Sequence, residues 1–426
     1  MPFRAPGRSS LAGLAFVLTA AAAIAQQPIF TPFHESGIYA LGEPVGWTVT
    51  LPPGTPAPPG GCRYTIRKNN SEVIKTGTID LSQGRAAIET ALDEPAMVYV
   101  QVETNGAGRP IALGAAVAPA RLLPSVPRPG DFDAFWDAKL RALNDVPMDP
   151  VLISVETGEP GVELYTVKIG SLASHVQGYL ARPKKEGKFP ALIIFQYAGV
   201  YALQPRTATD RAAEGWLVFN VDSHDIPPDL STGVSVDYRT IGNTSRETSY
   251  FLNMYLRDSR AIDYIATRPD WDGKTIVVMG TSMGGQQSLA VAGLNPKVTA
   301  VIVNEPAGAD SNGDLHGQKA GYPNWPSSDP KVMETARYFD TVNFAPRIKA
   351  PTLAAMGFID TIAPPVGIWI ALGQIPGPKE AVPMVESDHN NITPEKQRAY
   401  EARSKEVLDI LLKGGQFKPD ETWTRK

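Results

Sequence analysis

Thr275-Ile276-Val277-Val278-Met279-Gly280-Thr281-Ser282-Met283-Gly284-Gly285 decides how the rest of the chain is read. The first five residues are β-branched or apolar and predict a buried strand. Residues 286–292 predict a helix, so Ser282 stands at the apex of a strand-turn-helix. A serine hydroxyl is a weak nucleophile until a base takes its proton, and it must stand clear of its neighbours on a tight turn. Gly280 and Gly284, two residues to either side, supply that clearance. The amide of Met283, at the helix start, would face the oxyanion that forms when the serine attacks a carbonyl. The bland alternative is a phosphate-holding turn, but the Lys-Ser/Thr ending of a Walker loop is missing.

Outward from this turn, strand and helix patterns alternate. Strands are expected at 162–169, 175–181, 191–195, 217–221, 275–279, 300–303, 352–356 and 381–385, and helices at 251–267, 286–292, 365–372 and 394–412. Short apolar strands separated by helices imply a mostly parallel sheet covered on both faces, a doubly wound α/β domain over 131–426. Its entry is a helix from Asp131 to about Leu143, with Asp131 as N-cap and Phe132, Phe135, Trp136, Leu140 and Leu143 on the apolar face. Residues 304–338 are rich in Gly, Pro, Asn and Asp and are expected to lie near Ser282, where they could cap the site.

The segment 26–120 reads differently. Turn clusters such as Pro58-Pro59-Gly60-Gly61 and Asn69-Asn70-Ser71 separate short β-type runs at 45–51, 62–68, 73–79, 97–103 and 111–117. That spacing predicts a small immunoglobulin-like β-sandwich, structural or substrate-presenting in role. A proline-rich linker, 121–130, joins it to the α/β domain. At the N-terminus, Arg4 and Arg8 precede the apolar run 11–23 and the small-x-small sequence Ala23-Ile24-Ala25. Residues 1–25 are therefore expected to be a signal peptide, giving a secreted or periplasmic protein without a membrane anchor.

Composition narrows the function classes. The 426 residues are 43% hydrophobic and 20% charged, as in an ordinary globular protein. A formal net charge of -4 offers no basic field for nucleic acid. The single cysteine, Cys62, excludes an intramolecular disulfide and a cysteine-rich metal site, and reads as a structural thiol.

An activated serine needs a histidine, and the histidine a carboxylate. Of the five histidines, His34 lies in the N-terminal module, His175 in a strand upstream of the presumed catalytic sheet, and His316 in the irregular segment. His389 follows the last strand and precedes the last helix, where the order Ser, acid, His places the base. His224, in Asp222-Ser223-His224-Asp225, is the alternative. Asp360 follows the strand 352–356 and is positioned to orient His389; Asp388, Asp340 and Asp310 are weaker choices. The second oxyanion amide is expected from the loop after strand 191–195, at Ala198 or Tyr197.

Three longer strings carry a family resemblance. Phe339-Asp340-Thr341-Val342-Asn343-Phe344-Ala345-Pro346-Arg347, Gly357-Phe358-Ile359-Asp360-Thr361-Ile362-Ala363-Pro364-Pro365 and Ile375-Pro376-Gly377-Pro378 resemble the acetyl xylan esterase/cephalosporin C deacetylase family of carbohydrate esterases, and 129–136 is similar to that family's entry helix. The resemblance implies an α/β-hydrolase fold and removal of acetyl groups from sugar hydroxyls, with Ser282 as nucleophile, Asp360 as acid and His389 as base. It implies no metal or organic cofactor, an acetylated carbohydrate or other small acyl ester as substrate, and allows an oligomer. Three places depart from the family pattern. Met283 replaces its Gln, Asp222-Ser223-His224-Asp225 its Arg-Gly-Gln turn, and Gln196-Tyr197-Ala198 its His-Gly-Tyr loop. Only the amide of residue 283 is needed, whereas the other two changes bear on the acyl pocket. Two rival readings are a serine peptidase of prolyl-oligopeptidase type, whose propeller about 95 residues cannot build, and a glycan-binding protein on an inactive hydrolase scaffold.

Overall fold

The computed structural model describes residues 27–103 and 109–425. The signal peptide expected over 1–25 lies outside them.

The N-terminal strands are β1 (Ile29–Pro32), β2 (Ile38–Tyr39), β3 (Val45–Thr50), β4 (Cys62–Lys68), β5 (Glu72–Ile79), β6 (Arg85–Thr90), β7 (Ala96–Val102) and β8 (Ile111–Val117). They form two sheets, ordered β1-β3-β6 and β2-β8-β7-β4-β5. Pairing is antiparallel except between β2 and β8. Period-two alternation turns Val45, Trp47 and Val49 inward against Ile66, Val98 and Val100. Cys62 is buried in this core, and burial pushes its thiol up. Strands β1, β2 and β6 were not expected from the sequence. The first two are very short, and β6, Arg85-Ala86-Ala87-Ile88-Glu89-Thr90, buries only Ile88.

The rest of the chain builds α1 (Phe132–Asn144), β9 (Val151–Val155), β10 (Val162–Ser171), β11 (Ser174–Pro183), β12 (Phe189–Phe195), α2 (Pro205–Glu214), β13 (Leu217–Val221), α3 (Tyr250–Thr267), β14 (Trp271–Thr281), α4 (Met283–Leu294), β15 (Ala300–Asn304), α5 (Pro330–Ala336), α6 (Thr341–Phe344), β16 (Thr352–Gly357), α7 (Pro365–Gln374), β17 (Lys379–Met384) and α8 (Pro394–Leu412). One nine-stranded sheet results, ordered β17-β16-β15-β14-β12-β13-β11-β10-β9. It is parallel from β17 to β13 and antiparallel from β13 to β9. Both faces are covered, as the apolar strands require. Ile276 and Val278 face the core with α1, α3, α4 and α7, while Val277, between them, faces the core with α2 and α8.

Two expectations need correction. His175 lies on β11, inside this same sheet, where it bonds Asp225 rather than standing upstream of the sheet. Asp131 occupies the N-cap position of α1 but makes no capping bond; its carboxylate accepts from Arg246 and the Tyr338 hydroxyl instead. Two strong charge-assisted partners outbid a backbone amide for the same oxygens. The apolar face of α1 is as expected: Phe132, Phe135, Trp136 and Leu143 are buried, and the half-buried Leu140 packs against the same core.

The N-terminal module is packed against the α/β domain rather than tethered beside it. Ile38, Met97 and Ala116 belong to the same core as α3 and α4. A Cβ placed on Gly114 would lie 2.5 Å from the carbonyl oxygen of Phe358, and one on Gly37 would lie 3.0 Å from the Phe358 ring. The amide of Lys319 donates to Asn69 at 3.0 Å, tying the module to the 304–338 segment as well. Phe358 is two residues before Asp360, so β8 directly supports the loop that carries that carboxylate. Gly114→Val is therefore expected to lower kcat/KM by about tenfold or more, if Asp360 serves the site expected around Ser282, through displacement of that loop. Steady-state kinetics beside a melting curve check it, and an unchanged rate would mean the loop does not depend on β8.

Candidate active site

Ser282 links β14 to α4 with φ 57° and ψ -122°. A non-glycine residue holds such a backbone only when its surroundings enforce it. Here the Ser282 amide donates to Asn304 at 3.0 Å, and its carbonyl accepts from Gln286 and Ala307 at 3.0 Å each. The flanking glycines are required by close approach. A Cβ on Gly280 would lie 2.3 Å from the carbonyl carbon of Gly284, and one on Gly284 would lie 2.3 Å from the carbonyl oxygen of Phe195.

His389 follows β17, and the structure brings it between Ser282 and Asp360. Its Nε2 lies 2.9 Å from Ser282 Oγ and its Nδ1 lies 2.7 Å from Asp360 Oδ2. Asp360 follows β16 and is buried, with Oδ1 accepting from the amides of Ile362 at 2.7 Å and Ala363 at 2.9 Å. An ionised carboxylate only accepts, so Nδ1 carries the imidazole proton and Nε2 is left to accept from the serine hydroxyl. Burial opposes charge on His389, but the hydrogen bond and charge of Asp360, with Glu305 and Asp388 adding, hold its imidazole above the ordinary value of 6.5.

Glu305, just past β15, is a fourth member that the sequence reading did not single out. It is fully buried, and its Oε2 lies 3.9 Å from His389 Nδ1. Burial first, then repulsion from Asp360, pushes its carboxyl up to about 7. The only signal in the sequence was an acidic residue two positions past the apolar run Val301-Ile302-Val303. Donor atoms of Glu305, Asp360 and His389 lie within 4.8 Å of one another. That spacing resembles a metal site, but Nδ1 of His389 and both oxygens of Asp360 are already engaged in hydrogen bonds, which leaves Glu305 Oε2 as the one free donor atom of the three residues.

The other titratable residues weighed from the sequence are engaged elsewhere. Asp388 accepts from the amides of Asn390 and Asn391. Asp340 caps α6 and Asp310 bonds Ser125. His224 is fully buried, with Nε2 3.0 Å from the Gly199 carbonyl and Nδ1 2.7 Å from the Tyr250 hydroxyl. The carbonyl accepts only, so Nε2 holds the proton, and burial pushes the imidazole down to about 4. His224 is thus a neutral brace for the loop that carries Tyr197 and Ala198. Gln196, at the start of that loop, is pinned by Ser223 and by Gln287 of α4. Met283 buries its thioether beneath the hydroxyls of Tyr238 at 3.2 Å and Tyr322 at 3.1 Å. Tyr322 comes from the 304–338 segment, which therefore reaches the residue next to Ser282.

Residues 121–312 and 322–405 match the family model described as acetyl xylan esterase (AXE1). The chain belongs to the acetyl xylan esterase family. Acetyl esterase Axe7A of Xylanibacter ruminicola is 31% identical over 345 residues, covering 76% of this chain and 78% of that protein. Membership makes the chain a carboxylic-ester hydrolase. Two solved structures share the α/β-hydrolase fold. The acetyl xylan esterase from Paenibacillus sp. R4 superposes with a TM-score of 0.61 at 24% identity, covering 70% of this chain and 98% of that one. Acetyl xylan esterase 1 from Thermoanaerobacterium sp. JW/SL YS485 gives 0.57 at 23% identity, covering 66% and 96%. The family match begins at residue 121, so the N-terminal β-sheets are additional to it. Among the described residues no helix is long and apolar enough to cross a membrane.

Proposed function

We propose that this chain is a secreted serine esterase that removes acetyl groups from acetylated carbohydrate of the xylan or xylo-oligosaccharide type. The observation that carries the reading is the line Ser282 Oγ, His389 Nε2, His389 Nδ1, Asp360 Oδ2, with spacings of 2.9 and 2.7 Å, at the apex of a strained turn. The names of the relatives support acetyl as the group removed and xylan as the carrier.

In this mechanism Ser282 Oγ attacks the acetyl carbonyl carbon while His389 Nε2 takes its proton. Asp360 keeps the other imidazole proton on Nδ1 and stabilises the imidazolium. The amides of Met283 and of Ala198 or Tyr197 stabilise the oxyanion. Collapse expels the sugar oxygen, which takes the proton back from Nε2 and leaves an acetyl-enzyme. Water then attacks this ester, gives a proton to His389, and acetate leaves as Ser282 is reprotonated.

The proposed arrangement of the chain is a leader over 1–25, a β-sandwich over 26–120, a linker over 121–130 and a catalytic domain over 131–426. The eight strands of the N-terminal module make two facing sheets rather than the four-stranded blades of a propeller, which disfavours the peptidase reading. A panel of p-nitrophenyl esters of increasing acyl length, acetylated xylo-oligosaccharides and peptides tests the proposal. Acetyl esters are expected to be turned over fastest, and a fluorophosphonate probe is expected to label Ser282. Cleavage of peptides without esters would reverse the assignment, and an unlabelled Ser282 would favour an inactive scaffold.

A further inference from the structure

Glu305 is built into the molecule more elaborately than a stray core carboxylate. Its φ of 45° lies in the left-handed region, so the backbone is held in strain to turn this side chain inward. Its Oε1 accepts from Ser387 Oγ at 2.9 Å and from Gln397 Nε2 at 3.2 Å. Gln397, on α8, also donates to Ser387 Oγ at 2.8 Å and accepts from Asn304 Nδ2 at 2.8 Å. Asn304, Glu305, Ser387 and Gln397 are all buried. A Cβ on Gly357 would lie 2.8 Å from Oε1, so β16 leaves space for the carboxyl by carrying a glycine there. The other oxygen, Oε2, has no hydrogen-bond partner among the described residues and is the atom 3.9 Å from His389 Nδ1. Half of a buried carboxyl is thus satisfied by a dedicated network, and the free half points at the catalytic imidazole. An unpaired buried acceptor is costly and persists where something offsets it.

We propose that Glu305 is a positioning residue for His389, a second carboxylate that supports the imidazolium during turnover and stands in as the charge partner of Nδ1–H when Asp360 cannot. The inference rests on the assignment of Ser282, His389 and Asp360 made above. Asp360 is 1.2 Å nearer to Nδ1 than Glu305 is (2.7 against 3.9 Å), so Asp360 is the primary partner and Glu305 the reserve. No bond to substrate forms at Glu305; its action is electrostatic. Three carboxylates face His389: Asp360 from the β16–α7 loop, Glu305 from the end of β15 and Asp388 from its own loop, the last partly neutralised by Lys396 at 3.5 Å. Two carboxylates this close resist being charged together, so Glu305 is pushed up to about 7 and gains its charge over the same range in which the raised His389 imidazole titrates, where it acts on the acid limb.

Turnover needs neutral His389, so activity falls as pH drops through its pKa, which its carboxylate neighbours raise. Removing one neighbour lowers that pKa and moves the acid limb of kcat/KM to lower pH. Kinetics of Glu305→Gln, Asp360→Asn and the double variant on p-nitrophenyl acetate, from about pH 5 to about pH 9, test the proposal. Glu305→Gln is expected to lower kcat several-fold and shift the acid limb downward. Asp360→Asn is expected to keep activity that the double variant loses by a further factor of about ten. An unmoved acid limb, with a double variant no slower than Asp360→Asn, overturns the proposal and leaves Glu305 as packing. Should Glu305→Gln not fold, Ser387→Ala removes one donor to the carboxylate, favours its neutral form and is expected to move the limb the same way by less; no movement then overturns it equally. Ser282→Ala assayed alongside separates the two levels, because activity surviving in that variant refutes the nucleophile assignment irrespective of the Glu305 outcome.

Discussion

Ser282→Ala is expected to lower kcat/KM for a small acetyl ester by about 10⁴-fold or more while the melting temperature stays within about 3 °C of the parent. The two halves of that expectation have separate causes. Removing Oγ abolishes the acyl-enzyme route, and what remains is the modest acceleration that bound substrate and oxyanion amides give to attack by water. The backbone does not change. Alanine at φ 57° is as strained as serine, and the amide and carbonyl of residue 282 keep their bonds to Asn304, Gln286 and Ala307. The lost side-chain bond is the single contact to His389 Nε2. Stopped assays with enzyme at high concentration, together with a thermal melt, measure both quantities. Near-parental turnover by this variant would falsify the nucleophile assignment.

Gly284→Ala is expected to cost about 10²-fold or more in kcat/KM and to lower stability as well. Helix propensity alone argues the other way, since alanine within a helix is worth up to about 1 kcal/mol over glycine. Sterics decide the sign. The added Cβ would lie 2.3 Å from the Phe195 carbonyl oxygen, 3.1 Å from its carbon and 3.3 Å from the Gln196 carbonyl oxygen. All three are backbone atoms, which cannot rotate away as a side chain does, so α4 and the end of β12 must separate. Overpacking of this kind costs about 1–3 kcal/mol or more, which exceeds the helical gain. The same separation moves the Met283 amide away from the Tyr197–Ala198 loop, and the proposed oxyanion donors lose their common focus. Melting curves and kcat/KM for the variant check the prediction. A more stable and fully active variant would mean that the loop yields freely and that propensity wins.

Much of the catalytic sheet was legible because its strands are short, apolar and β-branched, and their boundaries moved by only a few residues. Where the sequence reading fell short, the signal was weak for a physical reason. Strand β9 alternates poorly and is largely exposed. Helix α2 buries only Ala208, Thr209 and Ala212, small residues rather than the large apolar ones that mark a core-facing stripe. Ser282, His389 and Asp360 were selectable from chain order, because each follows a strand that ends at the same edge of a parallel sheet. His224 was weighed as a base and is instead a neutral brace, since its surroundings come from Gly199, Tyr250 and Tyr238, far apart in sequence.

Sequence alone determined much of the periodicity of the strands and helices, the tight turn around Ser282 and the chain order of Ser282, Asp360 and His389, because these depend on residues close together in the chain or on the sequence of elements. Tertiary structure decided the rest. It set the 2.5 Å approach that Gly114 allows to Phe358, which makes the N-terminal sheets a support for the Asp360 loop. It also brought Glu305 behind His389 through contacts with Ser387 and Gln397, which are 82 and 92 positions away. Such contacts arise from packing between distant segments and leave no local pattern of hydrophobicity or charge to read.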